Sequence, residues 1–199
     1  MTEQTNDRLN TQPDTSPQRQ IRAVHDAHTI RVYQAYSRQI AEPALAAGRF
    51  VPPFKVERMT WIKPSFLWMM YRAGWGRKDP GQECILGIDI TREGFAWALA
   101  NACGSHPPDG MEPADWTALK ARSPVRIQWD PERDLHHQPL PWRSIQIGLG
   151  GEAVRRYVDQ WIVGIEDVTP LAHRIEALVV AGRLDDARAA LPVERPYEV

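Results

Sequence analysis

The chain has 199 residues, 43% of them hydrophobic, and a formal net charge of −1. This length and composition suit one domain with its own hydrophobic core, so neither a disulfide nor a structural metal is required for folding. The nearly neutral charge argues against binding of nucleic acid through bulk positive charge, although it leaves room for a local basic cleft. Cys84 and Cys103 stand alone in the sequence, which is typical of reduced, buried thiols.

The first twenty residues are almost entirely polar. A segment that buries so little cannot offset the conformational entropy that it would lose on folding. We therefore predict a disordered tail over residues 1–20 and a single folded domain over residues 21–199. The polar start does not resemble a signal peptide, and no apolar run approaches the roughly 20 residues of a membrane span. We expect a cytoplasmic protein that is not attached to a membrane.

The first predicted elements of the domain are a strand, a helix and a second, shorter strand. Residues 30–36 carry the β-branched and aromatic side chains that favour a strand. Ser37 suits the cap of a helix, and Gly48 suits the residue after its end. Residues 59–62 are predicted to form the short strand that follows.

A distinctive apolar helix is predicted next, between Pro64 and Gly74. Proline favours the first helical position and glycine the residue after the last one. Residues 66–71 are apolar or aromatic and leave no polar face, which predicts a helix that is buried on all sides. This helix is expected to lie at the centre of the domain.

The remaining elements are shorter and irregular in order. The mixture favours an α+β fold, with a small split sheet and packed helices, over a doubly wound sheet. Residues 169–199 are predicted to add a C-terminal helical hairpin, with Gly182 between its two helices. The other predicted elements are strands over 83–90, 125–129, 143–149 and 161–168, helices over 92–102, 116–121 and 151–160, and loops over 104–115 and 130–141.

Polar side chains accumulate beside aromatic residues at the predicted strand ends. Tyrosine and tryptophan offer flat surfaces for a base or nicotinamide ring, while arginine and lysine suit phosphates. The alternative is that the eight tryptophans build a large core whose polar tips are satisfied at its rim. The side chains concerned are Tyr33, Gln34, Tyr36, Arg58, Thr60, Trp61, Lys63, Ser65, Trp142, Arg143 and Gln146.

Familiar catalytic signatures, including glycine-rich phosphate loops and the HExxH zinc motif, are absent from the sequence. Two histidine pairs, His25 with His28 and His136 with His137, are close enough in sequence to share a metal. Their positions at a strand start and in a polar loop are more typical of exposed histidines. We therefore predict no metal site.

Three segments, VYQAYS, RMTWIKPSFLWMMYRAGW and SIQIGL, resemble a family known as domain of unknown function 4291. The resemblance extends over nearly the whole of residues 21–199, and the long middle segment is specific to it. This family implies no particular reaction.

The order of the elements also resembles that of ADP-ribosyltransferases, whose split α+β fold binds NAD in a cleft. In those enzymes a first strand carries Tyr-Arg or a histidine, a second ends in a Ser-Thr-Ser-like motif before a buried helix, and a late strand supplies a Glu, Gln or Asp. Tyr33-Gln34, Lys63-Pro64-Ser65 and Gln146 stand at the corresponding places. A glutamine at the last place can hydrogen-bond the ribose, but it supplies no negative charge.

This resemblance implies NAD as a substrate and an unknown acceptor for the ADP-ribose. The implied catalytic residues are Gln146, Ser65 and Gln34, and the implied NAD-binding residues are Arg31, Tyr33, Trp61 and Lys63. Two other hypotheses remain open. The cleft could bind a nucleotide or bind and process RNA, or the domain could be an interaction module without catalysis.

Overall fold

The computed structural model of the chain describes residues 18–198 and has a mixed α+β architecture, which confirms the predicted fold class. Within these residues the strands are β1 (Arg22–Ala23), β2 (Thr29–Tyr36), β3 (Thr60–Ile62), β4 (Cys84–Thr91), β5 (Ala102–Gly104), β6 (Val125–Arg133), β7 (Pro139–Leu149), β8 (Ile162–Asp167) and β9 (Arg195–Pro196). The helices are α1 (Arg38–Ala47), α2 (Phe66–Ala73), α3 (Arg92–Ala100), α4 (Pro113–Arg122), α5 (Glu152–Arg156), α6 (Thr169–Val180) and α7 (Leu184–Ala190). A 3₁₀ turn covers Pro80–Gln82, and a π-helical turn covers Tyr157–Trp161.

Two sheets meet at a single point, which we call the seam. One sheet has the antiparallel order β2-β4-β8, and the other has the order β3-β7-β6-β5. At the seam Tyr33 of β2 pairs with Lys63, the residue after β3, and its backbone N–H donates to the Lys63 carbonyl at 2.7 Å. Because β2 and β3 share only this bridge, the two sheets separate beyond it and leave a cleft.

Helix α2 lies against β2 and β6 beside the seam. Its cap is Ser65, whose hydroxyl accepts from the Trp68 N–H at 3.1 Å, so Pro64 precedes the helix instead of starting it. The helix ends at Gly74, which has the left-handed conformation that favours glycine (φ +55°). The prediction of burial on all sides is wrong at Tyr71, which is 40% exposed. Its ring is in contact with the Arg133 guanidinium, which lies 3.8 Å from the ring centre.

The predicted polar loop over residues 130–141 is instead the end of a β-hairpin. Strand β6 runs on to Arg133 and β7 begins at Pro139, with Pro131 paired to Arg143 across a bulge. These polar residues are held by backbone hydrogen bonds, which do not require the alternating apolar pattern of a half-buried strand. The predicted helix over residues 151–160 is divided into α5 and the π-helical turn.

Both ends of the described chain are attached to the domain. Residues 1–17 of the predicted tail lie outside the described residues, whereas Arg19 pairs with Arg143 of β7. After α6 and α7, strand β9 returns to pair with β1. Within residues 18–198, no helix is long and apolar enough to cross a membrane.

A close contact between α3 and the π-helical turn supports the inner side of the cleft. The Tyr157 hydroxyl at the start of this turn donates to the Gln34 side chain of β2 at 2.8 Å. The turn approaches α3 closely because Gly94 has no side chain, and a Cβ built there would lie 2.3 Å from Cγ of Trp161. The glycine is therefore required by packing.

We expect Gly94→Ala to lower the free energy of unfolding by about 1–3 kcal/mol, since the new methyl group overpacks the Trp161 contact. This result would be opposite to intrinsic helix propensity, which favours alanine over glycine by roughly 1 kcal/mol. Chemical denaturation measures the change. Gly164→Ala is the matched control, since the nearest atom to its Cβ is 3.9 Å away. Equal stability of Gly94→Ala and the parent would contradict the packing argument.

Candidate functional site

The cleft beside the seam consists of two adjoining cavities of about 330 Å³ and about 190 Å³. Both are lined by Tyr36, Met59 and Thr60, so they lie side by side. Lys63 and Arg72 add positive charge to the smaller cavity. Small-molecule sites occupy roughly 300–1,000 Å³, and the two cavities together reach this range.

Lys63 is the most unusual side chain in the cleft, since it is only 7% exposed. Among the described residues its Nζ has one hydrogen-bond acceptor, the Trp61 carbonyl at 3.3 Å, and no carboxylate forms an ion pair with it. Its ammonium lies 5.5 Å from the centre of the Trp68 ring. Burial, together with the positive charge of Arg72, lowers the pKa of Lys63 to about 7, and the negative charge of Asp130 opposes the change. Its surroundings therefore favour the neutral amine far more than those of an exposed lysine do.

Gln34 organises a polar network on the side of the cleft nearest β2. Its Nε2 donates to Thr60 Oγ1 at 2.6 Å, Tyr36 Oη at 3.0 Å and the Trp61 carbonyl at 3.1 Å. Its Oε1 accepts from the Tyr157 hydroxyl. Both polar atoms of the Gln34 side chain are therefore hydrogen-bonded within the protein. Gln34 is a predicted catalytic residue, but it connects the two sheets and has no free group for a ligand.

A carboxylate held by two amides lies on β6 and β7. Gln128 and Gln146 are directly opposite each other in the register, and Asp130 is two residues along on the same face. Gln146 Nε2 donates to Asp130 Oδ2 at 2.5 Å, and Gln128 Nε2 donates to Asp130 Oδ1 at 2.9 Å. The charge of this carboxylate acts on Lys63 and raises its pKa against the effect of burial. Gln146 thus orients a carboxylate whose charge acts on Lys63.

Asp130 is not among the site residues predicted from the sequence, because a loop is predicted over residues 130–141. Continuing the alternation of β6 past Trp129 puts it on the face of Gln128, and that signal was available. On β7 the neighbours of Gln146, Ile145 and Ile147, are buried, and Gln146 itself is half-buried on the opposite face. This placement agrees with the alternation expected for the strand.

A pair of acids lies at the N-terminus of α2, next to the cleft. Ser65, 2% exposed, donates to Glu132 Oε1 at 2.9 Å while it caps the helix. Glu194 accepts from the Phe66 N–H at 2.6 Å. Burial raises the pKa of both carboxyls, that of Glu194 to about 8 with a further contribution from Glu132. Ser65 is thus a buried capping residue, and its hydroxyl does not line either cavity.

Arg31 and Tyr33 lie near the seam but do not present groups to the cleft. The Arg31 guanidinium pairs with both oxygens of Asp89 at 2.9 and 2.8 Å and with Glu166 at 2.9 Å. Tyr33 is fully buried, and its ring packs edge-on against Phe66. The ion pairs of Arg31 therefore conflict with its predicted role in binding pyrophosphate. The burial of Tyr33 conflicts with its predicted role in stacking on a ring of the ligand.

Trp61 is the predicted residue whose ring has a surface beside the cleft. It is half-buried and lies across Gly148 of β7, where a Cβ would be 2.9 Å from Cζ2 of the indole. Of the predicted site residues, the structure thus brings Gln34, Trp61 and Lys63 together at the cleft. Gln146 does not line either cavity of the cleft, and its amide binds Asp130.

Four cations line the cleft without an acidic partner among the described residues. Lys55 and Arg58 line the larger cavity, and Lys63 and Arg72 line the smaller one. None of the four forms an ion pair with a carboxylate of residues 18–198. The cleft is therefore locally positive although the chain is nearly neutral, and cationic donors of this kind suit phosphate oxygens.

The histidine pairs have separate surroundings. The His25 ring is 3.1 Å from the Pro196 carbonyl, whereas the His137 ring stacks on Trp75 at a centroid distance of 5.1 Å. In the part of the chain that the structure describes, no group of three or more His, Cys, Asp or Glu side chains is arranged to hold a metal ion.

Replacement of Lys63 tests the cost of its burial. The folded pKa of about 7 lies below the unfolded value of roughly 10.4, so the lysine destabilises the fold most below pH 7 and ceases to do so above about pH 10. We expect Lys63→Met to stabilise the protein by an amount on the order of a few kcal/mol at pH 6, falling towards zero at pH 10. Unfolding at several pH values measures this difference. Lys55→Met is the exposed control, and a pH-independent difference for Lys63→Met would contradict the argument.

Glu194 has the opposite dependence. Its folded pKa of about 8 exceeds the unfolded value of roughly 4.3, so its contribution to stability is present below pH 4 and is lost as pH rises to 8. Glu194→Gln keeps an oxygen that accepts from Phe66 and cannot ionise. We expect the variant to lose less stability than the parent between pH 5 and pH 8, as measured by denaturation. Glu198→Gln, at an exposed position, should follow the parent, and identical profiles for Glu194→Gln and the parent would refute the assignment.

Comparison with known proteins agrees with the resemblance found in the sequence. The model of the family described as Domain of unknown function (DUF4291) matches residues 20–197, a range that includes β2, the β3–α2 segment and β7. No curated protein matches the chain. The matched residues cover almost the whole chain, and the protein therefore belongs to the DUF4291 family.

Proposed function

We propose that the protein is an ADP-ribosyltransferase-like enzyme that binds NAD in the cleft beside the seam and transfers ADP-ribose to an acceptor. The observation that carries this proposal is the Asp130 carboxylate, which lines a third cavity of about 830 Å³. It is held by Gln146, which lies on the strand where the resemblance expects the catalytic residue. The order of β2, α1, β3, α2 and β4, followed later by β7, α5 and β8, is also the order that the resemblance implies.

Pyrophosphate binding is assigned to the unpaired cations. Arg58 and Arg72 are exposed at the two ends of the cleft, with Lys63 between them on the inner side. Charge-assisted hydrogen bonds from such donors to phosphate are short and strong. These residues replace Arg31, whose guanidinium is already paired with Asp89. A bound phosphate would supply the counter-charge that Lys63 lacks.

Ring stacking is assigned to aromatic residues on the two sides of the cleft. Trp61 lies beside Lys63, and Tyr36 and Phe54 line the larger cavity. Flat aromatic surfaces favour adenine and nicotinamide through offset stacking. Tyr36 also has a hydroxyl that is fixed by Thr60 and Gln34, so its ring is held in place before any ligand binds.

Asp130 supplies the charge that Gln146 lacks. As nicotinamide leaves NAD, positive charge develops on the ribose, and a preorganised carboxylate stabilises that charge. The two amides of Gln128 and Gln146 orient both Asp130 oxygens before the reaction. Gln146 Oε1 makes no hydrogen bond within residues 18–198 in this structure, which leaves it available to accept from a ribose hydroxyl.

Asp130→Asn tests this assignment, since it keeps the shape of the side chain and removes its charge. We expect nicotinamide release from NAD to fall by about 10²–10³-fold, because a preorganised group that stabilises the transition state is lost. NAD affinity, measured by calorimetry, should change by less than about tenfold, the effect of roughly one hydrogen bond.

Asp185→Asn is the control, since Asp185 lies on the surface in an ion pair with Arg188. If the parent protein neither binds NAD nor releases nicotinamide, the proposed function fails. If Asp130→Asn releases nicotinamide at the parent rate, NAD cleavage does not use Asp130.

A second candidate function, binding or processing of RNA, is favoured by the same row of unpaired cations beside aromatic rings. Single-stranded nucleic acids bind grooves that combine backbone-tracking cations with stacking surfaces. Calorimetry with NAD, ADP-ribose and a short RNA separates the candidates. Tight binding of RNA alone favours the second, and absence of binding by all three ligands favours a non-catalytic interaction module.

A further inference from the structure

The chain has four lysines, and Lys63 differs from the other three in its surroundings. Lys55, Lys78 and Lys120 are exposed, whereas Lys63 is almost completely buried. A lysine ammonium has three N–H donors, and the single acceptor of Lys63 among the described residues is the Trp61 carbonyl. The buried amine thus keeps donor positions that the fold does not use.

A buried amine without a counter-ion favours its neutral form, in which nitrogen carries a lone pair. The charged groups that act on it are Arg72 of α2 and Asp130 of β6. The positive charge of Arg72 adds to the effect of burial, and the combined result of burial and both charges is a pKa of about 7 for Lys63. Lysines in such surroundings act as nucleophiles and form imines with carbonyl compounds.

The space in front of the amine restricts what can react with it. The cavity that Lys63 lines is small, about 190 Å³, and its lining includes the cationic Arg72 and the polar Gln82. Arg72 has no ion-pair partner within residues 18–198, so it can bind an anionic group on the same molecule. Guanidinium groups match the geometry of phosphate oxygens. The site therefore suits a small carbonyl compound that carries a phosphate.

We propose that Lys63 binds a phosphorylated aldose covalently, as an imine, with Arg72 holding the phosphate. The Nζ lone pair attacks the aldehyde carbon of the open-chain sugar, and a C=N bond replaces the C=O bond. The carbonyl oxygen and two protons leave as water, and nothing is oxidised or reduced. This inference goes beyond NAD binding and does not require NAD cleavage, although free ADP-ribose, the product when water takes the place of the acceptor, has such an aldehyde in its open-chain form.

Reductive trapping tests the proposal on the full chain. The protein is incubated with ribose 5-phosphate and cyanoborohydride at pH 7, digested, and analysed by peptide mass spectrometry. We expect one pentose phosphate on the peptide that contains Lys63, formed at least about tenfold faster than on the peptide with Lys55, because the neutral amine is far more abundant at Lys63. Equal labelling of all four lysines would overturn the proposal.

The role of Arg72 is tested by comparing two sugars. Ribose 5-phosphate should label Lys63 several-fold faster than ribose, and Arg72→Gln should remove this preference. Equal rates with both sugars on the parent protein would overturn the phosphate site. Lys63→Met should lose the label, and Lys78→Met, at an exposed position outside both cavities, should keep it. The comparison of sugars uses the parent protein, so it does not depend on the folding of any variant.

The outcome is distinguishable from that of the proposed function. Rapid labelling of Lys63 in a protein that does not bind NAD supports the covalent site and contradicts the NAD-dependent reaction. Nicotinamide release by a protein whose Lys63 is not labelled supports the NAD-dependent reaction and contradicts the covalent site.

Discussion

The backbone bridge between Tyr33 and Lys63 joins the two sheets, and the site depends on it. The Tyr33 N–H donates to the Lys63 carbonyl at the point where β2 and β3 come together. Because these strands share no further ladder, the sheets separate and leave a cleft into which the Lys63 side chain bends back towards the Trp61 carbonyl. Gln34 fills the space behind it and joins both strands through side-chain hydrogen bonds. The cleft therefore results from the way in which the two sheets are joined.

The polar groups of the cleft are satisfied unequally. Gln34, Tyr36, Thr60 and Tyr157 satisfy one another, as buried polar groups in a stable protein do. Lys63 has one weak acceptor and no counter-ion among the described residues, which disfavours its charged form. A methionine would fill the same space without this cost. Groups that lower stability in this way are expected where a protein needs them for binding or chemistry.

Strand β6 carries two acids, Asp130 and Glu132, whose surroundings differ. Asp130 is held by amides and lines a third cavity of about 830 Å³, whereas Glu132, two residues later, is buried at the N-terminus of α2 with Glu194 nearby. Burial favours the protonated form of the two glutamic acids and the neutral form of Lys63. Asp130 is only partly buried, whereas Glu132 and Lys63 are each 7% exposed. The Asp130 carboxylate and the Lys63 amine interact electrostatically, an arrangement suited to acid–base or nucleophilic chemistry.

Local patterns in the sequence were sufficient for the α+β class, for α1 between Ser37 and Gly48, and for the alternation around Gln146, because caps and periodicity depend on neighbouring residues. They also selected Lys63, Trp61 and Gln34. Only the tertiary structure decided which charges are paired: Arg31 finds Asp89 on another strand, whereas Lys63 finds no carboxylate in the described chain. The hairpin around residues 130–141 was decided by backbone pairing, which does not require apolar side chains, so a polar composition alone does not distinguish it from a loop. Pairing and burial arise from distance in space, and for that reason the sequence indicated three residues that line the cleft but neither their partners nor the burial or ion pairing of the other predicted residues.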